Sequence, residues 1–196
     1  MAWYEISTAE IAPRQPLDSE LFTKIRGNLN IGLCSLGLPQ VIPNGSFELS
    51  TGVVPFLWET SFVGNGAATI ATGAHGANSL KLTKTTGATS GAYAYTEDYI
   101  AVATTNITIH GIIWATGATV GDVKGGVVVR SYKGDYTTQA TNVVYNTTGW
   151  TANPTTYSMV TTFSSLTRWV KIGVVCGTDC TVAGGLFFDG LYIVNT

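Results

Sequence analysis

The sequence predicts an all-β protein: an antiparallel β-sandwich preceded by an N-terminal extended arm and a short helix. Two observations carry that reading. From Val41 onward, apolar runs rich in Val, Ile, Thr and aromatic residues are broken by Gly, Asn, Asp and Ser at spacings of about ten residues, which is sandwich rhythm. The same region lacks helical periodicity, so no crossover helices are available to build a parallel sheet. Residues 1–40 are therefore assigned to the arm and helix, and residues 41–196 to the sandwich.

In the arm, Pro13 and Pro16 exclude a regular helix between Trp3 and Pro16, so that stretch is read as extended. Asp18 or Ser19 can then cap a helix, Glu20 sits in its first turn, and Leu17, Leu21, Ile25 and Leu29 recur every fourth residue. A helix this short is marginal in water and must dock, either on its own sandwich or on symmetry mates. Trp3 and Ile6 with the Leu17, Leu21, Ile25 and Leu29 stripe are the expected anchoring or assembly residues.

Asn44-Gly45 marks a turn, and Gly45 to Leu49 is read as the first strand. Further strands are expected at 56–62, 67–71, 79–83, 92–95, 98–101, 106–115, 125–132, 142–145, 157–162, 168–176 and 185–194. Within 106–115 a bulge near Gly111 is expected to reset the alternation. Trp58, Trp114 and Trp169 lie in apolar strands and are expected in the core.

Charged residues are only 11% of the chain while 45% are hydrophobic, and thirty threonines make the surface rich in hydroxyls. A net charge of −2 gives no electrostatic reason to bind nucleic acid or an anionic membrane. So weak a charge points to surface covered by neighbouring subunits. No apolar run is long enough to span a bilayer, and Met1 to Ile6 shows neither a basic nor an apolar leader region, so synthesis in the cytoplasm is expected. Reduced thiols are then the default for Cys34, Cys176 and Cys180. The Cys176–Cys180 spacing also suits a disulfide across a three-residue hairpin loop once the protein has left the cell.

Two resemblances cover most of the chain. Asn44-Gly45-Ser46-Phe47-Glu48, Pro55 with Trp58, Gly76 to Leu82, and Phe187-Phe188-Asp189-Gly190-Leu191-Tyr192-Ile193 together resemble jelly-roll carbohydrate-binding modules of the galactose-binding-like class. Met1 to Ile6, followed by Pro16 to Ser19 and Lys24 to Leu29, resembles the N-terminal region of tailed-bacteriophage decoration and fibre-type proteins. The first resemblance implies a jelly roll whose first and last strands meet at a structural calcium ion, with Glu48 and Asp189 as ligands beside backbone carbonyls near Gly73 to Asn78. Each acid is equally explained as a strand-end carboxylate accepting turn N–H groups. It also implies glycan stacking on exposed aromatic rings, for which Trp150, in a polar loop, is the first candidate and Tyr132 and Tyr136 follow. The second implies a homotrimeric virion protein of a phage capsid or tail.

No catalytic constellation emerges. The acids lie mostly in turn-like segments such as Lys133-Gly134-Asp135, where carboxylates cap turns. His75 and His110 accompany no nucleophile motif, and no phosphate loop opens onto a helix. The expectation is a non-enzyme that requires no cofactor: a virion structural subunit or, alternatively, a carbohydrate-binding module.

Overall fold

Alternating apolar and polar residues give each strand one face that must leave water, and two such sheets satisfy the requirement by packing face to face. The computed structural model describes residues 40–85, 91–117, 123–143, 149–177 and 183–195. The residues expected to form the arm and helix, among them Trp3, Ile6, Leu17, Leu21, Ile25 and Leu29, lie outside the described residues, as do Cys34 and Cys180.

Among the described residues twelve strands follow in order: β1 (Gln40–Val41), β2 (Trp58–Val63), β3 (Ala67–Thr72), β4 (Asn78–Lys84), β5 (Gly91–Thr96), β6 (Ile100–Ala101), β7 (Asn106–Gly117), β8 (Gly125–Tyr132), β9 (Thr138–Val143), β10 (Thr155–Thr162), β11 (Trp169–Cys176) and β12 (Gly184–Asn195). The first sheet runs β10-β7-β12-β4-β3, and β1 pairs with the far end of β12. The second runs β2-β5-β11-β8-β9, and β6 pairs with the start of β11. Every pairing is antiparallel. This is the jelly-roll sandwich expected from the sequence.

One core lies between the sheets. Leu80, Leu82, Ile107, Ile109, Ile113, Leu186, Phe188 and Ile193 face inward from the first sheet. Trp58, Ala92, Ala94, Val127, Val129, Val170, Ile172, Val174 and Cys176 meet them from the second.

Two local expectations are corrected. Asn44 to Glu48 is a turn, not a strand: Asn44 (φ 49°) and Phe47 (φ 58°) adopt left-handed backbone. The Asn44 amide holds this shape, since Nδ2 donates to the carbonyls of Leu49 (2.7 Å) and Phe56 (3.0 Å) while Oδ1 accepts from the Leu49 N–H (3.1 Å). The turn still docks where the first strand was expected, because the Leu191 N–H donates to the Gly45 carbonyl (2.9 Å). It drives Phe47 into the core against Trp58, with ring centroids 5.1 Å apart, and the Trp58 Nε1–H donates to the Pro43 carbonyl (3.0 Å).

The bulge is also relocated. Strand β7 alternates without interruption, turning Ile107, Ile109, Gly111, Ile113 and Ala115 inward. The register shift sits opposite, in β12 between Asp189 and Tyr192, where Gly190 takes φ 58°. Gly111 serves a different purpose: a Cβ there would strike the Leu191 side chain, which fills the space the glycine leaves.

Tyr157 on β10 is a local conflict within this core. Its hydroxyl is buried with no hydrogen-bond partner among the described residues, and burial pushes its pKa up to about 12. An unpaired buried hydroxyl costs about 1–3 kcal/mol. Tyr157→Phe is therefore expected to leave stability unchanged or raise it by about 1 kcal/mol. Urea unfolding checks this, and a loss of that size would mean the hydroxyl is engaged.

Candidate functional site: an aromatic groove on the outer face of one sheet

Central strands β11 and β8 are buried on both faces, which alternation alone does not require. Their outward residues are Trp169, Lys171, Gly173 and Val175 on β11, and Val128, Arg130 and Tyr132 on β8. What covers them is a layer of tyrosines. Tyr93 and Tyr95 from β5 lie with Val128 and Val175, and Tyr99 lies with Ala101, Tyr132 and Trp169.

Gly173 sets the geometry. It stands opposite Tyr95 on β5 and Val128 on β8, and a Cβ there would collide with the Tyr95 ring. The missing side chain lets Tyr95 lie across β11, and Arg130 reaches over the same gap to place its guanidinium 4.1 Å from the Tyr95 ring centroid. One strand pair further along, Lys171 Nζ lies 5.1 Å from the centroid of Tyr99. Tyr99 meets Tyr132 edge-on at 4.8 Å and Tyr136 at 4.8 Å, and Tyr136 stacks on Trp169 at 5.4 Å.

Edge strand β2 supplies the wall. Glu59 stands opposite Tyr95, and Ser61 opposite Tyr93. Together with Thr60, Val63 and Arg130 these residues enclose a cavity of about 430 Å³, within the range that holds small ligands. Burial pushes the Tyr95 phenol above its ordinary pKa, against the pull of the Arg130 guanidinium. Burial likewise raises Tyr99, helped by the neighbouring Tyr132, Tyr136 and Glu59. Both phenols therefore stay protonated, and each can donate as well as accept a hydrogen bond.

The aromatic residues singled out from sequence divide three ways. Tyr132 and Tyr136 join this layer, Tyr132 buried within it and Tyr136 exposed with φ 63°. Trp150 does not. Expected as an exposed stacking ring, it is 8% exposed, its Nε1–H donates to the Gly125 carbonyl (3.0 Å) and it meets Tyr157 edge-on, so it presents no face to a ligand. Of the expected core tryptophans, Trp58 lies in the core. Trp169 belongs to the outer layer, and Trp114 is half-buried on the outer face of the first sheet, stacked on Phe187 at 4.8 Å. Tyr93, Tyr95, Tyr99, Arg130, Lys171 and Glu59 were missed as a group. The available signal was the repeated Tyr-x-Tyr of Tyr93 and Tyr95, with same-face spacing on one strand.

The two acids expected at a metal site converge on the loop between β3 and β4. Asp189 Oδ2 accepts from the N–H groups of Ala74 (2.8 Å) and His75 (2.6 Å). Glu48 Oε1 accepts from the Asn78 N–H (3.1 Å), and a Cβ at Gly76 (φ 101°) would collide with that carboxylate. Both acids thus hold turn N–H groups. Asp189 also has an oxygen to spare: it is fully buried, and Oδ1 accepts no hydrogen bond among the described residues. An exposed carboxylate and a buried one with an unused oxygen thus meet the same loop, and carboxylate oxygens are the donor type that a calcium ion takes. Asp135 is different, since its Oδ1 accepts from the Thr137 N–H and hydroxyl and caps its own turn, which holds the carboxyl below its ordinary pKa. Cys176 is buried at the end of β11.

No family model matches the chain, and no curated protein matches it. Solved structures do. The family 11 carbohydrate-binding module of the cellulosomal cellulase Lic26A-Cel5E of Clostridium thermocellum superposes with a TM-score of 0.58 at 8% identity, over 81% of this chain and 95% of that one. The chain has the fold of a carbohydrate-binding jelly roll. The CBM22-1 xylan-binding domain from Paenibacillus barcinonensis Xyn10C gives 0.51 at 16% identity, over 78% of this chain and 93% of that one. The enzymatically active domain of tailspike protein 4 of bacteriophage CBA120 gives 0.54 at 12% identity, over 79% of this chain but only 21% of the tailspike chain.

Burial of the Asp189 carboxyl raises its pKa above 3.8, against the pull of the His75, Ala74 and Gly190 N–H groups. A raised acid favours the protonated folded form, so this stabilisation is present at low pH and is lost as pH rises from the unfolded value through the folded one. Thermal midpoints in chelator should therefore fall from about pH 4 upward in the wild type relative to Asp189→Asn, and then level off. A difference between the two proteins that does not vary with pH would refute this account.

Proposed function

We propose that this protein is a glycan-binding module that receives sugar rings on the outer face of the β2-β5-β11-β8-β9 sheet. The observation that carries the reading is the tyrosine layer held by Gly173, with Glu59, Ser61 and Arg130 beside it. Apolar C–H faces of pyranose rings pack against such aromatic surfaces, and the flanking polar groups take the ring hydroxyls. The jelly-roll likeness supports the same reading, since one neighbour of 8% identity was solved in complex with a β-1,3-1,4-mixed-linked tetrasaccharide. Function is assigned to binding without turnover.

The comparisons favour this reading over a purely structural virion role. The tailspike likeness supports a second setting, in which the same module is carried on a phage particle; a homotrimer anchored through residues 1–40 is the form of that setting the sequence suggests.

Tyr93 lines the cavity and is only half-buried, so Tyr93→Ala is expected to keep the fold. It should weaken retention in glycan-containing native gels about tenfold, the loss expected if this ring contributes about 1.4 kcal/mol of stacking. Unchanged retention of a glycan that the wild type binds would remove the groove from the proposal.

We further propose a structural calcium ion held by Glu48 and Asp189, whose role would be to pin the β3–β4 loop against β12. It would carry no chemistry. Millimolar calcium should raise the thermal midpoint of the wild type and not that of Asp189→Asn. Equal response of the two proteins would exclude Asp189 as a ligand.

A further inference from the structure

Arg130 and Lys171 are two of only ten basic residues in the chain, yet they stand directly opposite each other on β8 and β11. Alternation points both outward onto the tyrosine layer, where Arg130 lines the cavity and Lys171 lies beside Tyr99. Like charges directly across an antiparallel pair destabilise a sheet. Neither residue makes an ion pair among the described residues. Among the described residues Glu59 is the one acid lining the cavity, and it bridges neither of them. What each cation has instead is the face of a tyrosine, Tyr95 for Arg130 and Tyr99 for Lys171. A ring face orients a cation and tolerates its charge, but it does not neutralise it.

A protein that carries so few charges and places two of the same sign together has broken a local rule, and such breaks concentrate at functional sites. Both residues are half-buried against the aromatic layer, and each head is held over its own ring rather than turned freely into water. An anion between them would relieve the repulsion. A guanidinium is suited to grip a carboxylate or sulfate through two parallel hydrogen bonds, and an ammonium beside it adds a point charge.

Resting on the groove reading above, we infer that the ligand is an acidic glycan, whose sugars carry carboxylate or sulfate groups that bind between Arg130 and Lys171. The tyrosine layer takes the ring faces and the cation pair selects for charge. Net charge conceals this preference, because the rest of the molecule offsets the pair.

Isothermal titration of the full chain with three probes of similar length tests the inference: oligogalacturonate for carboxylate, sulfated dextran oligosaccharide for sulfate, and cellohexaose as the neutral control. At least one acidic probe is expected to bind about tenfold tighter than cellohexaose, with an affinity that falls as salt rises. Which acidic probe wins identifies the group. Lys171→Met, which keeps the apolar stem, should reduce that preference about tenfold with little change in thermal midpoint. Arg130→Lys keeps the charge and loses the fork, and should give a smaller reduction. Cellohexaose binding as tightly as both acidic probes, or a preference that survives in both variants, would overturn the acidic inference and leave the groove reading intact. No binding of any probe would overturn both.

Discussion

The bulge in β12 is the constraint on which the sandwich closes. With strict alternation after Phe188, Gly190 and Tyr192 would face the core and Leu191 and Ile193 would face water. One extra residue, absorbed by left-handed Gly190, restores Leu191 and Ile193 to the interior. Full burial of each is worth about 1.5–3 kcal/mol. The same irregularity frees the Leu191 N–H from the ladder to meet the Gly45 carbonyl, and it aims Asp189 at the β3–β4 loop. Three connections that are distant in sequence therefore depend on one glycine, and Gly111 across the strand leaves the space that Leu191 needs.

The second sheet solves a different problem. Its central strands are apolar on both faces, so the outer face needs a cover. Aromatic side chains provide one at low conformational-entropy cost, and Gly173 supplies the notch in which Tyr95 settles. Because the rings are held by packing with Val128, Val175 and Ala101, the outer surface is set before any ligand arrives. Pre-ordering of this kind lowers the entropy lost on binding.

Most of the strands could be read directly from the chain, because period-two alternation and Gly or Asn breaks are local signals. Strand β8 was expected at the residues where it occurs, and β7, β11 and β12 within two residues of their ends. Asn44 to Glu48 misled because its alternation resembles a strand, while the deciding fact, the Asn44 amide reaching Leu49 and Phe56, is tertiary. Trp150 misled because polar loop neighbours say nothing about an indole that turns inward to a carbonyl on another strand. The groove was mostly illegible for a related reason. Its members come from β2, β5, β8 and β11 and the β5–β6 connection, and only the sheet order brings them together. Glu48 and Asp189 were paired through a resemblance, and both carboxylates accept N–H groups of the β3–β4 loop from elsewhere in the fold.

The short pairing of β1 with β12 bears on how the molecule is presented. Gln40 stands opposite Ile193, so the two ends of the sandwich lie side by side in the first sheet. The tyrosine layer lies on the outer face of the other sheet, which points away from them. Both ends of the described sandwich thus belong to the sheet that does not carry the groove. Tethering the sandwich to a support through that side would turn its aromatic face outward, leaving the tyrosines unshadowed by the attachment.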